Sequence, residues 1–377
     1  MNRKWCAAGL AAGGAVLASG PVLADYALNM TTGATDTSAS VYSLHMTILG
    51  ICVVIGIVVF GAMIYSIINH RKSKGAVAAQ FHESTAAELA WTIVPIIILV
   101  SMAVPATRTL LAMEDTSNAD MTIKVTGIQW KWKYDYLDDK ISFVSSLAAK
   151  HNEARQLGSG IDVTTVDNYL LDVDEPVVIP VGKKVRFLLT AADVIHAWWV
   201  PSLGWKKDAI PGYINEAWAK VEKPGIYRGQ CAELCGKDHG FMPIVVKAVP
   251  EEEYVKWVAA KQGAALEAAA SADREWTKDE LVSRGAEVYA ANCAACHQAT
   301  GQGVPGAFPA LAGSQIANGP DAAPHLDIVM HGKPGTAMAA YANLLNDADI
   351  AAVITYERNS WGNDAGVVQP AAVKAAR

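Results

Sequence analysis

The sequence predicts a multidomain chain with three parts: a two-helix transmembrane hairpin, an all-β sandwich or Greek-key barrel, and a small all-α domain near the C-terminal end. Three observations carry this. Two uncharged apolar stretches lie early in the chain, short alternating and apolar runs fill residues 114–250, and helical patterns bracket residues 276–362. The composition agrees: 52% of the 377 residues are hydrophobic and only 18% are charged, against about 25% charged in an average globular chain. Such a balance excludes wholesale disorder and points to membrane segments. The net charge of −6 argues against nucleic acid as a partner.

Residues 1–24 read as a secretory signal. Arg3 and Lys4 precede an apolar stretch from Cys6 to Leu17, and Val22, Leu23 and Ala24 end it before Asp25. The alternative is an uncleaved anchor. Residues 25–113 hold an N-terminal segment and the hairpin. No charge occurs in 46–69, and 19 uncharged residues, 89–107, lie between Glu88 and Arg108; the spacing predicts spans over about 46–69 and 89–110. Pro95 and Pro105 are tolerable there if neighbouring groups satisfy the freed backbone. Thr85 and Glu88 read as a capping box opening the second span. Arg71, Lys72 and Lys74 lie between the spans, whereas 25–45 has no Lys or Arg. The positive-inside rule therefore places loop 70–86 in the cytoplasm and everything after about residue 113 outside it.

In 114–250, the run from Val125 to Leu137 alternates, and EPVVIPVGKKVRFLLTA and MPIVVKAV are apolar runs bounded by turn residues. Many short strands in one stretch predict a sandwich or Greek-key barrel. Residues 251–275, rich in Glu and Ala, read as a helix running into a linker. In 276–362, Thr277 and Glu280 form a capping-box pattern, and a second helix is expected from Asp347 to Asn359. The tail, 363–377, is expected to be loose.

Six cysteines stand at 6, 52, 231, 235, 293 and 296. Two close pairs carry the chemistry. The run CAELCGKDHGFM, 231–242, offers Cys231, Cys235, His239 and Met242, and His196 lies 35 residues before Cys231. Thiolate, imidazole and thioether form a soft ligand set suited to copper. Two thiolates on one loop can each bridge two metals, with one histidine for each, which gives a binuclear copper centre. A Cys231–Cys235 disulfide and a structural Cys2His2 zinc site are the alternatives; Met242 argues against both. The second pair lies in CAACH, 293–297, the attachment signal for c-type haem. The two thiols form thioethers, and His297 is placed to bind iron. A downstream methionine is expected as sixth ligand. Met330 and Met338 are the choices, with His325 and His331 as spare candidates.

The pattern C-A-E-x-C-G-x-x-H-x-x-M with an upstream V-I-H-A-W resembles subunit II of haem–copper cytochrome c oxidases. The similarity covers about residues 41–250 and includes both spans, GIQWKWKYDY and the DAIPG run at 208–212. It implies a cupredoxin-like Greek-key domain holding the binuclear CuA centre. Carried onto this chain, Cys231 and Cys235 bridge the coppers, His196 and His239 are terminal ligands, Met242 is a weak ligand, and the Glu233 carbonyl completes the site. The Glu233 carboxylate resembles one that helps bind magnesium at the interface with subunit I. Trp130, Trp132, Tyr134 and Tyr136 fall at period two and are expected on one side of a strand. Trp130 matches the tryptophan at which electrons arrive from cytochrome c. Asp193 matches an acid near the donor docking surface, and Glu88 a glutamate at the mouth of a proton pathway.

Residues 276–362 resemble class I cytochromes c, with a ligand loop, G-T-A-M-A-A-Y, before a C-terminal helix. On that match the sixth ligand is Met338, and Met330 is core. Relatives often carry proline after the methionine; here it is Ala339. The combination is similar to a caa3-type oxidase subunit, with haem c feeding CuA and then haem a of a partner. It implies partnership with subunit I, which carries haem a and CuB, and with subunit III. A soluble cytochrome c or another periplasmic donor would supply electrons. The place implied is a bacterial inner membrane, with both soluble domains periplasmic. No histidine is embedded in a span so as to build the oxygen site, so that site is expected on the partner. The rivals are a copper subunit of a nitric-oxide reductase and a membrane-anchored electron shuttle.

Overall fold

The computed structural model describes residues 29–80, 82–156, 158–271 and 274–377; the expected signal segment, 1–24, lies outside them. Two long helices come first, α1 (Asp36–Asn69) and α2 (Thr85–Glu114). Both are long and apolar enough to cross a membrane. Most of their apolar side chains are exposed, Ile57 by 69% and Ile97 by 62%, an arrangement that water would penalise and lipid favours.

Both helices outrun the uncharged stretches. The 34 residues of α1 would reach about 50 Å, against a hydrocarbon core of about 30 Å. The extra turns lie at the end where α1 is capped. Thr35 and Ser38 form a reciprocal capping box there, and Thr35 Oγ1 also donates to the Leu203 carbonyl at 3.0 Å. The far end of α2 is tied to the β domain by Trp218 Nε1, which donates to the Ala112 carbonyl (3.1 Å), and by Lys207 with Glu114 (2.8 Å). The capping box expected at Thr85 is not formed. Ser84 is the N-cap and makes no side-chain cap bond, so Thr85 already sits inside the first turn with Glu88. Pro95 and Pro105 both lie within α2.

The β domain has ten strands in two five-stranded sheets. One runs β3 (Ile141–Ser145), β2 (Lys131–Tyr136), β1 (Met121–Ile128), β5 (Lys184–Ala191), β8 (Asn215–Lys220). The other runs β4 (Val177–Pro180), β10 (Pro243–Val249), β9 (Gly225–Cys231), β6 (His196–Val200), β7 (Trp205–Ala209). Pairing is antiparallel except for β1 with β5 and β10 with β4. Those two crossovers make the fold a Greek key rather than a meander. Period-two patterning sets the faces: Val185, Phe187, Leu189 and Ala191 on β5 are buried while the residues between them are not. Phe187, Trp198 and Trp205 stack at 5.2–5.7 Å between ring centres and fill the middle. Each such large side chain contributes about 1.5–3 kcal/mol on burial.

The expected four-aromatic stripe is corrected at its first member. Trp132, Tyr134 and Tyr136 face the core from β2, fully buried, but β1 ends at Ile128 and the chain turns at 129–130. Trp130 therefore stands in the turn, outside the strand, and only partly buried. Alternation ran through the turn because no glycine or proline marks it.

Helix α3 (Glu251–Ser271) opens on three glutamates that suit its positive end, and it lays Trp257 on Tyr136 and Phe143 with Tyr254 beside it. The C-terminal domain is built on α4 (Lys278–Asn292), α5 (Ala323–His331) and α6 (Asp347–Arg358), with short helices at Ala294–His297 and Gln315–Asn318. The Thr277–Glu280 capping box is formed. α4 crosses α6 closely at Gly285, where a Cβ would lie 2.1 Å from the Ala352 carbonyl oxygen. The tail is not loose. Val368 and Val373 are buried in the domain core, Pro370–Ala376 is helical, and the Gln369 side chain clasps the Trp276 backbone at both its N–H and its carbonyl. The aliphatic spacing of Val368 and Val373 supplies the burial that the tail's polar look conceals.

Candidate metal centre and haem attachment site

One end of the sandwich brings two distant segments together. His196 opens β6, Cys231 closes β9, and Cys235, His239 and Met242 occupy the loop leading to β10. Cys231 Sγ lies 3.8 Å from Cys235 Sγ and 3.9 Å from His196 Nδ1. Cys235 Sγ lies 3.5 Å from His239 Nδ1 and 3.6 Å from Met242 Sδ. The Glu233 carbonyl is 3.4 Å from Cys231 Sγ. Both cysteines are free and buried, and their separation is far beyond the ~2.05 Å of a disulfide. His196, Cys231 and Cys235 could together hold a metal ion, with donor atoms all within 4.8 Å of one another. Adding a buried thioether, a second imidazole and a carbonyl gives the soft donor set expected for copper and unlike structural zinc.

The surroundings fix the ligands. His196 is fully buried, and its Nε2 meets Asp193 Oδ1 at 2.9 Å, which leaves Nδ1 facing Cys231. A carboxylate on the outer nitrogen orients a metal-binding histidine and raises its basicity. Asp193 is held in turn by the Gln129 and Val194 N–H groups, both at 2.7 Å. Gly127 makes room for the ring: a Cβ there would lie 2.7 Å from His196 Cδ2. Trp132 packs edge-on to the same ring, and its Nε1 donates to the Met242 carbonyl at 3.2 Å. Trp130 Nε1 and Gln129 Nε2 both donate to the Cys235 carbonyl, at 3.1 and 2.8 Å. Beyond the loop, the Arg155 guanidinium pairs with buried Asp238 (3.3 Å) and lies 4.2 Å from the centre of the Phe241 ring. Thus the residues flanking His239 are clasped from outside the copper loop.

The hydrogen bond from Cys235 pulls Cys231 well below the ordinary thiol range, helped by His196, and Cys235 is pushed up in return. Burial alone would lower His196, but Asp193 and the Cys231 sulfur outweigh it and raise the ring.

Of the other candidates near this loop, the Glu233 side chain is exposed and does not meet the cluster. Glu88 lies in the first turn of α2, at the opposite end of that helix from the β domain.

The haem motif caps α4. Cys293 is its C-cap, and Cys296 and His297 lie in the short helix that follows. Both thiols are free. His297 Nδ1 donates to the Pro309 carbonyl at 2.9 Å, which fixes the ring and leaves Nε2 as its ligand atom. Met338 is partly buried against the domain core, while Met330 is buried within it. His331 pairs with Asp327 at the surface (2.9 Å). His325 is buried, with Nε2 against Glu357 Oε2 at 2.8 Å and Nδ1 unpartnered. Burial pushes the Cys293 thiol well up, and Glu357 adds to it. Two free thiols, an oriented imidazole and a partly buried thioether are a donor set that fits a covalently attached haem.

Sequence reasoning missed the Asp193 contact with His196, the space left by Gly127, the Pro309 carbonyl and the Arg155 clasp. Only the three-residue spacing of Asp193 and His196 carried a local signal.

Residues 24–109 match the transmembrane domain of cytochrome c oxidase subunit II, and 121–249 match its periplasmic domain. Residues 280–356 match the cytochrome family described as cytochrome c oxidase, cbb3-type, subunit III. The probable cytochrome c oxidase subunit 2 of Rickettsia bellii is 43% identical over 221 residues, 58% of this chain and 78% of that protein. The subunit 2 of Cereibacter sphaeroides is 37% identical over 242 residues, 62% of this chain and 80% of that protein. The crystal structure of the periplasmic domain of the Bradyrhizobium japonicum subunit II is 44% identical; the match covers 39% of this chain and 97% of that one, with a TM-score of 0.35. The chain belongs to the cytochrome c oxidase subunit II family and carries a fused C-terminal cytochrome c domain.

Proposed function

We propose that this chain receives electrons at its own haem c and passes them through a binuclear copper centre to haem a of a partner subunit I. The observation that carries this reading is the cluster of two free sulfurs, two inward Nδ1 atoms and a buried thioether, with neighbouring sulfur and nitrogen atoms 3.5–3.9 Å apart. Held there, a copper pair would supply one-electron exchange with little change of geometry, and haem c would supply the same at higher exposure to donors.

The chain's own residues do the positioning. Asp193 orients His196, Arg155 steadies the residues beside His239, and the Pro309 carbonyl turns His297 Nε2 toward the ligand side. Trp130 is the residue at which electrons reach the copper domain: its indole N–H holds the carbonyl of Cys235, which would hold the copper, while the rest of the ring stays outside the strand. The Glu233 carboxylate and the neighbouring Leu234, 80% exposed, point away from the cluster and form the face offered to subunit I, with Glu233 contributing to a magnesium site there. Arg71, Lys72 and Lys74 hold the loop between α1 and α2 in the cytoplasm, which puts both soluble domains on the periplasmic side of a bacterial inner membrane. Glu88 then lies at the cytoplasmic surface, where it would face a proton pathway of subunit I. Of the nine histidines, His45 lies within α1 near its outer end. Oxygen reduction therefore belongs to subunit I, and the isolated chain is expected to show no oxygen turnover. Subunit III and a soluble cytochrome c or other periplasmic donor complete the set of partners.

The test is the EPR spectrum of the full chain, oxidised and loaded with copper and haem. One unpaired electron shared by two copper nuclei gives more hyperfine lines than a single copper can, and a low-spin haem signal accompanies it. A single-copper pattern, or none, overturns the copper assignment.

A further inference from the structure

The copper domain and the haem domain meet through two lysines whose placement no ligand role explains. Lys131 follows Trp130 in the chain and is 5% exposed. Its Nζ donates to Asn292 Oδ1 at 2.9 Å and lies 5.3 Å from the centre of the Tyr341 ring. Lys237 lies inside the copper loop, between Cys235 and His239. Its Nζ donates to the Ala295 carbonyl at 2.9 Å and lies 5.6 Å from the centre of the Phe308 ring.

The two lysines bracket functional groups on both sides. Asn292 and Ala295 stand on either side of Cys293, so the lysines grip the haem attachment motif itself. On the copper side both spring from the surroundings of Trp130. Lys131 is its chain neighbour, and Gly236, just before Lys237, lies against its indole: a Cβ on Gly236 would sit 3.0 Å from Trp130 Cζ2. Tyr341 is itself tied to the motif, because its hydroxyl donates to the Asn292 carbonyl at 3.0 Å. A lysine that is almost wholly buried needs a partner, and here the partners are an amide oxygen and a ring face of the other domain.

We propose that Lys131 and Lys237 are docking residues that seat the haem attachment motif of this chain over the Trp130 end of its own copper loop. Both contacts are made by ammonium groups to neutral acceptors and ring faces; the one at Lys131 is buried and the one at Lys237 is exposed. A separate donor protein then meets the haem domain, because the copper domain's face around Trp130 is already taken in cis. The inference rests on the proposed function for its meaning, but the docking can be read without it.

The experiment uses the full chain loaded with copper and haem. Acylation of lysines by an amine-reactive reagent, followed site by site by mass spectrometry, compares Lys131 with Lys247, which is exposed on β10. Lys131 is expected to react at least about tenfold more slowly, as a site opened only by local undocking would. The variant K131M/K237M is then examined by pulsed EPR for the distance between the oxidised haem and the copper centre. A narrow distribution in the unmodified chain and a broad one in the variant are expected. Lys131 reacting as fast as Lys247, or a variant distribution as narrow as the original, overturns the docking. Missing multi-line copper or low-spin haem signals in the unmodified chain would instead overturn the assignment of the two redox groups; the acylation result reads the docking in either case.

Discussion

The copper site draws its ligands from the ends of two strands 35 residues apart in sequence, His196 and Cys231, and from the loop that follows. Their donor atoms lie within about 4 Å of their neighbours. In the haem domain Cys293, Cys296 and His297 come from one five-residue run, while Met338, proposed as the sixth ligand, lies in a loop 41 residues beyond His297. There Cys293, Met338, Tyr341 and Trp361 are only partly buried, and His325 Nδ1 is buried without a partner. The difference teaches where each site gets its order. The sandwich draws the candidate copper ligands Cys231, Cys235 and Met242 from its own core. The haem domain leaves these groups at the edge of its core, and we propose that the attached haem covers them.

The largest effect that would sharpen this contrast is expected from Cys296→Ala. Without stable attachment the haem domain should lose most of its stability, about 5 kcal/mol or more, while the sandwich stays folded. Limited proteolysis would show cleavage within 278–377 and an intact 114–250. Survival of both would mean that the haem domain is as self-sufficient as the sandwich. Met338→Leu comes next. It removes the thioether but keeps the bulk, so the domain should stay folded while the haem potential falls by about 0.1 V or more, part of the ~0.8 V range that axial ligands span; a redox titration reads this, and an unchanged potential would move the ligand elsewhere.

On the copper side the effects are smaller, because the frame is rigid. Asp193→Asn should weaken copper binding about 10–100-fold, the usual cost of losing a partner that orients a metal-binding histidine, as measured by competition with a chelator. Gly127→Ala should cost about 1–3 kcal/mol of stability in thermal unfolding by overpacking against the His196 ring, and it should alter the copper EPR signal without abolishing it. A copper signal untouched by either change would break the claim that the sandwich prepares the site.

Much of the molecule could be read from sequence because its signals are local. The spans announce themselves by missing charge, the haem motif is five contiguous residues, and the loop from Cys231 to Met242 carries five of its own site's groups. What escaped depends on the third dimension. Trp130 leaves the strand at a turn that no glycine or proline marks. Ser84 rather than Thr85 caps α2, a one-residue shift beneath the resolution of a pattern. The tail packs through Val368 and Val373, two isolated aliphatic residues among small and polar ones. Lys131 and Lys237 look like ordinary surface lysines until the two domains are placed side by side.

If one chain holds both the giving and the receiving group, reducing haem c in the full, loaded chain with a single-electron pulse will show it in the copper absorbance. The copper is expected to be reduced as the haem is reoxidised, in a first-order process whose rate does not change with protein concentration. A rate that rises in proportion to protein concentration, or a copper centre that stays oxidised beside reduced haem, would contradict it.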